Sequence, residues 1–330
     1  MRAIRFHDGG DPTVLQLDEI DRPEPGPGEV LVEIRAASVN PVDAIVRAAG
    51  PGDRPKTTGS DLAGVVSAVG RNADEYAEGD RVFATGLHTG RFAGGSFADY
   101  ATAPTDLLAP LPDAVSFEEG AAAALVGVTA WRAFVDHAAL EPGETAFVHG
   151  GNGGVGHVAI GLADAMGAAA VATARPEHHD VVRAFGADAV FDYGREDLAA
   201  IVRDETGGVD AVLDHMPDRY LGTDVEIAGM RGDVVVLAGD EATIPAVTPA
   251  RGKELDVHLM SMSNLATHAA LPDIGPILAR IGRLLASDRL DVTIDRRLPL
   301  EDAAEAHRAV VEESVVGKIV VTPYSDASTA

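Results

Sequence analysis

The stretch Thr145-Ala146-Phe147-Val148-His149-Gly150-Gly151-Asn152-Gly153-Gly154-Val155-Gly156-His157-Val158 decides the fold. Residues 145–149 read as a buried strand, and an amphipathic helix follows to about Met166. Between them Gly151, Gly153 and Gly156 form G-x-G-x-x-G. In a chain with 36 glycines that pattern alone says little. The strand before it and the helix after it give each glycine a role. The three roles are a tight turn, backbone approach to a pyrophosphate, and close helix–strand packing. The helix start adds amide donors and the positive end of the helix dipole. The segment predicts a dinucleotide site on a βαβ unit.

Downstream of this unit the same alternation continues. Short apolar strands are expected at 145–149, 169–173, 189–191, 211–213, 233–237 and 257–260, separated by helical sequence such as 178–185. That pattern describes an α/β fold, a Rossmann-type doubly wound parallel sheet. Upstream, residues 116–139 are Ala-rich and helical, with Ser116 and Glu119 at capping-box spacing. Before them, strand-like runs at 1–7, 14–20, 29–37, 61–69, 80–84 and 96–103 are punctuated by Pro and Gly, notably Pro23-Glu24-Pro25-Gly26-Pro27-Gly28. They predict an antiparallel β domain with few helices. After the parallel sheet come helices at 274–286 and 303–311, flanking a strand at 292–298, and a last strand at 318–322. This tail is expected to return to the first domain. The expected domains are therefore 1–125, 126–265 and a returning 266–330.

Charge is the strongest compositional signal: 52 Asp plus Glu stand against 26 Lys plus Arg, a net −26. Only three residues are Lys: Lys56, Lys253 and Lys318. The acids are spread over structured, periodic sequence, as in proteins adapted to a salt-saturated cytosol. Molar salt shortens the Debye length to ~3 Å and screens the self-repulsion. Such a surface argues against nucleic acid and anionic membranes as partners. No run approaches the ~18 apolar residues of a membrane span, and residues 1–6 are too short and charged for a signal peptide, so a cytoplasmic protein is expected. The chain has no Cys, which excludes disulfides, thiolate nucleophiles and Cys-ligated metals.

Other chemistries fail on spacing. The two Gly-Lys pairs continue to Glu254 and Ile319, so neither is a P-loop. The residues four before the three lysines are Gly52, Pro249 and Ser314, so no Tyr-x-x-x-Lys exists. No His-Glu-x-x-His occurs. The tip of the second parallel strand, Val171-Ala172-Thr173-Ala174-Arg175-Pro176, lacks the acid that holds an NAD ribose. Arg175 instead offers a guanidinium to a 2′-phosphate, with His178 and His179 nearby. NADPH is the expected cofactor, and Glu177 keeps NADH as the minority option.

These pieces, in order, resemble the zinc-independent medium-chain dehydrogenases/reductases, specifically the quinone oxidoreductase group. The matching motifs span nearly the whole chain: Pro25-x-Pro27-Gly28-Glu29-Val30, Ala37-Ser38-Val39-Asn40-Pro41-Val42-Asp43, Gly59-Ser60-Asp61-Leu62-Ala63-Gly64, Gly79-Asp80-Arg81-Val82, Gly95-Ser96-Phe97-Ala98-Asp99-Tyr100, Gly127-Val128-Thr129-Ala130-Trp131, the glycine loop, Phe185-Gly186-Ala187-Asp188 and Gly317-Lys318-Ile319-Val320-Val321. Residues 215–270 match poorly. The resemblance implies a GroES-like β domain beside a Rossmann domain, with the nicotinamide in the cleft between them. Zinc-containing relatives carry Gly-His-Glu where this chain has Gly59-Ser60-Asp61, and a Cys where it has Asn40. Residues 86–95 are too short and Cys-free for a structural zinc lobe. No metal is expected.

Carried over by resemblance, the cofactor-binding residues are Asn40, Thr129, Asn152, Gly153, Gly154, Val155, Gly156, Arg175, Tyr193, Gly239 and Lys318. Thr129 is similar to a threonine near the nicotinamide, residues 152–156 to the pyrophosphate loop, and Arg175 with Tyr193 to the surroundings of the 2′-phosphate. Asn40, Asp43 and Ile45 fall on the substrate cleft. Ile45 stands where several relatives have Tyr, and no general acid is named by any motif. The resemblance implies hydride transfer from NADPH to a small-molecule acceptor, a quinone or other conjugated carbonyl. The alternatives are an enoyl or alkenal reductase and a non-catalytic NADPH-binding protein. It further implies a homodimer or homotetramer, pairing through residues 257–260 at the edge of the parallel sheet.

Overall fold

A computed structural model describes residues 1–323 apart from 53, 88–93, 240, 244–246, 266, 267 and 269. The chain forms two units: Met1–Val128 with Ser263–Asp288 and Val292–Ala330, and Thr129–Met262 with Arg289–Asp291.

The first unit begins with β1 (Arg2–Phe6), β2 (Leu15–Glu19), β3 (Glu29–Val39), α1 (Pro41–Ala49), β4 (Lys56–Thr57), β5 (Asp61–Val69), β6 (Arg81–Ala84), β7 (Tyr100–Pro104) and β8 (Leu108–Pro110). The helix α1 is an addition to the strands expected in this region. It starts where Pro41 takes the first helical position behind Asn40, which suits a residue with a fixed φ and no N–H. From this unit α2 (Phe117–Trp131) carries the chain into the second. Its capping box forms as the spacing requires: Glu119 accepts from the Ser116 amide at 2.8 Å, and Ser116 accepts from the Glu119 amide at 3.2 Å. The expected single helix to 139 instead widens into a π-turn over Arg132–His137. There the buried Arg132 donates to the Ser261 carbonyl at 2.9 Å.

The second unit alternates strand and helix: β9 (Thr145–Val148), α3 (Gly154–Met166), β10 (Ala169–Ala174), α4 (His179–Ala184), β11 (Ala189–Asp192), α5 (Leu198–Thr206), β12 (Val209–Asp214), α6 (Pro217–Ile227), β13 (Ala228–Val236), α7 (Val247–Lys253) and β14 (Asp256–Leu259). Its strands pair in parallel in the order β11-β10-β9-β12-β13-β14. Strand order reverses beside β9, so the crevice at the carboxyl ends opens where the glycine loop leaves that strand. Phe147, Val171, Val212 and Val234 line one face and pack with Leu198, Val202, Leu221 and Ile227 of α5 and α6. Each such buried side chain contributes roughly 1.5–3 kcal/mol. β11 and β14 are the edge strands, and on β14 Leu259 is 77% exposed.

The tail adds α8 (Ile274–Ala286), β15 (Ile294–Pro299), α9 (Ala303–Glu312) and β16 (Lys318–Thr322). β16 pairs antiparallel with β3, Ile319 opposite Val39 and Val321 opposite Ala37. The resulting sheet runs β15-β16-β3-β5-β6-β8, with β7 also on β3. Ala303, Ala306 and Ala309 make a small-residue stripe on α9 that packs on Val39, Ile319 and Val321. Among the described residues no helix is long and apolar enough to cross a membrane.

Candidate functional site

The glycine loop is shaped by close contacts rather than by flexibility. Gly150 takes the left-handed turn, at φ +65°, a role that the motif spacing suggests for Gly151. Gly151 is needed for packing instead: a Cβ there would lie 2.9 Å from Ala172 and Val182. At Gly156 a Cβ would stand 2.2 Å from the Gly150 carbonyl oxygen. Any larger residue would force α3 away from the loop. With Gly153 as N-cap, the amides of Gly154, Val155 and Gly156 sit in the first helical turn, where no intrahelical acceptor exists. Residues 152–155 are half-buried. Asn152, Gly153, Gly154, Val155 and Gly156 are thus gathered into one anion-ready turn.

At the tip of β10 the Arg175 guanidinium donates to the Tyr193 hydroxyl at 2.8 Å. Arg219, on α6, lies 5.3 Å from the centre of the same Tyr193 ring and 5.0 Å from that of Tyr220. Nothing in the sequence singles out Arg219, because residues 215–270 carry no recognisable motif. Gly239 follows β13 at φ +107°, and a Cβ there would meet Pro217 at 2.7 Å. Thr129 is buried on α2, in the same unit as the loop.

A polar row lies beneath the loop. On adjacent strands Val171, Phe147 and Val212 are in register. Two residues further on, the same sheet face carries Thr173, His149 and Asp214, all buried. The signal is present in the sequence as apolar-x-polar at three strand ends. Thr173 pins the loop twice: its carbonyl accepts from Gly151 at 2.8 Å, and its Oγ1 accepts from the Gly150 amide at 3.2 Å.

In the first unit the residues around Asn40 form a second buried polar cluster. Asp61 accepts from Ser38 at 2.6 Å, Thr85 at 2.6 Å and Asn40 Nδ2 at 2.8 Å. Lys318 donates to the Val39 carbonyl at 2.8 Å and to Asn40 Oδ1. Burial pulls the Lys318 ammonium below its usual pKa, opposed by Asp61 and Asp43. Asp43 accepts from the Asn40 amide at 2.8 Å. Burial, and then the neighbouring Asp61, push its carboxyl up to about 7 against that bond, Lys318 and Ser60. Asn40, Asp43 and Lys318 are therefore brought together. Ile45 is not, being 67% exposed on α1. A groove of about 420 Å³ near Met1, Ile20 and Tyr100 touches none of these residues.

A doubly wound sheet with a crowded glycine turn at its switch point defines a dinucleotide-binding fold. The model of the alcohol dehydrogenase GroES-like domain matches residues 26–113, and that of a zinc-binding dehydrogenase matches residues 185–321. Quinone oxidoreductase of Homo sapiens is 32% identical over 335 residues, covering 97% of each chain. The solved quinone oxidoreductase of Escherichia coli complexed with NADPH is 27% identical, with a TM-score of 0.85 over 98% of this chain and 100% of its own. A structure described as an NAD-dependent alcohol dehydrogenase is 31% identical, with a TM-score of 0.89 over 98% and 100%. The chain belongs to the quinone oxidoreductase group of the medium-chain dehydrogenases/reductases.

The zinc in one family model's description does not suit the donors found here. Asn40, Ser60 and Asp61 supply neither thiolate nor imidazole, and the Lys318 ammonium already binds Asn40. A second cation there would face direct repulsion. Among the described residues no group of three or more His, Cys, Asp or Glu is placed to hold a metal ion.

Proposed function

We propose that this enzyme transfers a hydride from NADPH to a quinone or another conjugated carbonyl, without a metal. The observation that carries the reading is the Gly150–Gly156 turn, whose close approach to α3 leaves the amides of Gly154, Val155 and Gly156 for a diphosphate. NADPH rather than NADH is supported by Arg175 and Arg219 around Tyr193, a planar cationic pair suited to a phosphate monoester. When bound, the dinucleotide supplies the hydride. The chain's residues hold it, orient it and keep water from competing. An acceptor whose reduced form is stabilised by conjugation needs little acid assistance, which suits a site without metal or thiol. The acidic, Lys-poor composition supports activity at molar salt and a cytoplasmic, salt-adapted setting.

The test is NADPH oxidation in molar KCl against quinones, enals and enoyl thioesters. Turnover of quinones that is insensitive to EDTA is expected. Activity confined to enoyl substrates would favour the double-bond reductase reading, and cofactor binding without any turnover the non-catalytic one. Zinc-requiring oxidation of primary alcohols would contradict the proposal. Arg175→Glu is expected to raise KM for NADPH by about tenfold or more while leaving KM for NADH within about twofold. Equal effects on both would remove the 2′-phosphate assignment.

A further inference from the structure

Behind the glycine loop the polar row continues into α6. His149 Nε2 lies 2.8 Å from Asp224 Oδ1, and His149 Nδ1 lies 3.3 Å from Thr173 Oγ1. The imidazole also stacks on Tyr220, ring centres 4.2 Å apart. Because Thr173 Oγ1 already accepts the Gly150 amide, its hydroxyl hydrogen is available for His149 Nδ1. The imidazole then carries its hydrogen on Nε2 and donates it to Asp224. One unbroken chain of donors runs from Gly150 through Thr173 and His149 to Asp224. Asp224 is in turn a hydrogen-bonding neighbour of Asp214, whose Oδ1 accepts from the Met216 amide at 2.7 Å. Both side chains are fully buried. Oδ2 of each is buried without a hydrogen-bond donor. A single proton between them satisfies both atoms at once, whereas two bare carboxylates would leave two buried acceptors unpaired.

We propose that Asp214 and Asp224 hold one proton between them and act, through His149 and Thr173, as positioning residues for the glycine loop, so that dinucleotide affinity falls when this proton leaves. The proposal deepens the NADPH reading and rests on it. Burial and the mutual repulsion raise Asp214, and burial raises Asp224, so the proton that the pair shares leaves only above neutral pH. Burial likewise pushes His149 down to about 4 and lowers His215, so both imidazoles are neutral where the acid pair titrates. The other charged groups facing the pair are few. Arg219 and Tyr220 lie in the first turn of α6, and Lys253 caps the end of that helix that carries Asp224, on the carbonyls of Val225, Glu226 and Ala228. Loss of the proton puts a second negative charge under a turn built for a diphosphate. It also leaves Asp214 and Asp224 repelling each other, at the end of the donor chain that fixes Gly150.

The experiment is a fluorescence titration of the wild type and of Asp224→Asn with NADPH between about pH 6.5 and pH 9, above the second ionisation of a phosphate monoester at about 6. Asn keeps an acceptor for His149 and offers an N–H to Asp214, so it mimics the protonated pair permanently. The wild-type Kd should rise about tenfold over this range, and that of Asp224→Asn should stay within about twofold of the wild-type value at the acid end. Asp214→Asn should behave likewise, and Asp224→Ala should bind weakly at every pH. A wild-type Kd that is flat with pH, or an Asn variant that keeps the wild-type slope, overturns the proposal. Failure of the wild type to bind NADPH at any pH overturns the dinucleotide reading and this inference with it. Infrared spectroscopy tests the proton without cofactor. Beside the band of the buried Asp43, a carboxylic acid C=O band present at the acid end and lost toward the alkaline end should disappear from the difference spectrum in Asp224→Asn. Its absence from the wild type refutes the shared proton.

Discussion

The two buried polar clusters solve the same problem in opposite ways. Around Asp61 the first unit supplies three donors and, through Asn40, the ammonium of Lys318. Around Asp214 and Asp224 the second unit supplies one amide, one imidazole and no buried cation among the described residues. Hydrogen-bond donors meet the buried Asp61 in one unit, whereas in the other two carboxyls face one another across a proton. The lysines follow the same logic. In a chain whose cations are otherwise Arg, Lys318 and Lys253 each place a compact ammonium on two or three oxygens, and Lys56 is half-buried with its pKa lowered by desolvation. Lysine is kept where a small three-donor cation is required.

The largest expected effect of substitution falls on the cluster around Asp61. Lys318→Met removes the cation and leaves Asn40 Oδ1, the Val39 carbonyl and a nearby carboxylate underpaired. A loss of about 3–5 kcal/mol in urea unfolding is expected; a loss under about 1 kcal/mol would show that the cluster does not depend on its cation.

Next comes the titratable pair. Asp224 has a folded pKa raised well above its ordinary value, so its contribution to stability is full at acid pH and is lost as pH rises toward about 8. Asp224→Asn has no such loss. Its stability relative to the wild type should therefore rise with pH, with a slope approaching about 1.4 kcal/mol per pH unit in that window. His149 and His307 have the opposite sign. Burial pushes them down to about 4 and about 3, so their contribution is present above the ordinary imidazole pKa and is lost as pH falls. Above the ordinary imidazole pKa only the raised carboxyls titrate, so the wild-type melting temperature should decline from about pH 6.5 toward about pH 8. A flat or rising profile over that range would show that these carboxyls do not titrate as their burial implies.

The smallest expected effect concerns salt. Raising KCl from about 0.1 M to about 3 M should stabilise the wild type by screening its surface carboxylates. The difference between wild type and Asp224→Asn should change by less than about 0.5 kcal/mol, because the pair is shielded from solvent ions.

The parallel sheet is legible in the sequence because strand, glycine turn and helix agree locally, and both α3 and the capping box fall where the spacing puts them. The Arg175–Tyr193 contact is legible only through resemblance, since 18 residues separate the two. Two features are not legible. The left-handed residue is Gly150 rather than Gly151, which no motif spacing distinguishes; the difference lies in the close packing of Ala172 and Val182. Arg219 and Asp224 lie on a helix without motif, and only the register of β9, β10 and β12 brings their partners into one row. Sequence periodicity gives the face of each strand, and pairing decides which faces meet.

The dinucleotide seat on the glycine turn is tested most directly by calorimetric titration of the wild type and Gly156→Val with NADPH in molar KCl. Saturable binding to the wild type is predicted, with Kd in the micromolar range, of the order of ~1–100 µM, and none to Gly156→Val with its fold intact by circular dichroism. Binding that survives Gly156→Val unchanged, or a wild type that does not bind, would contradict that seat.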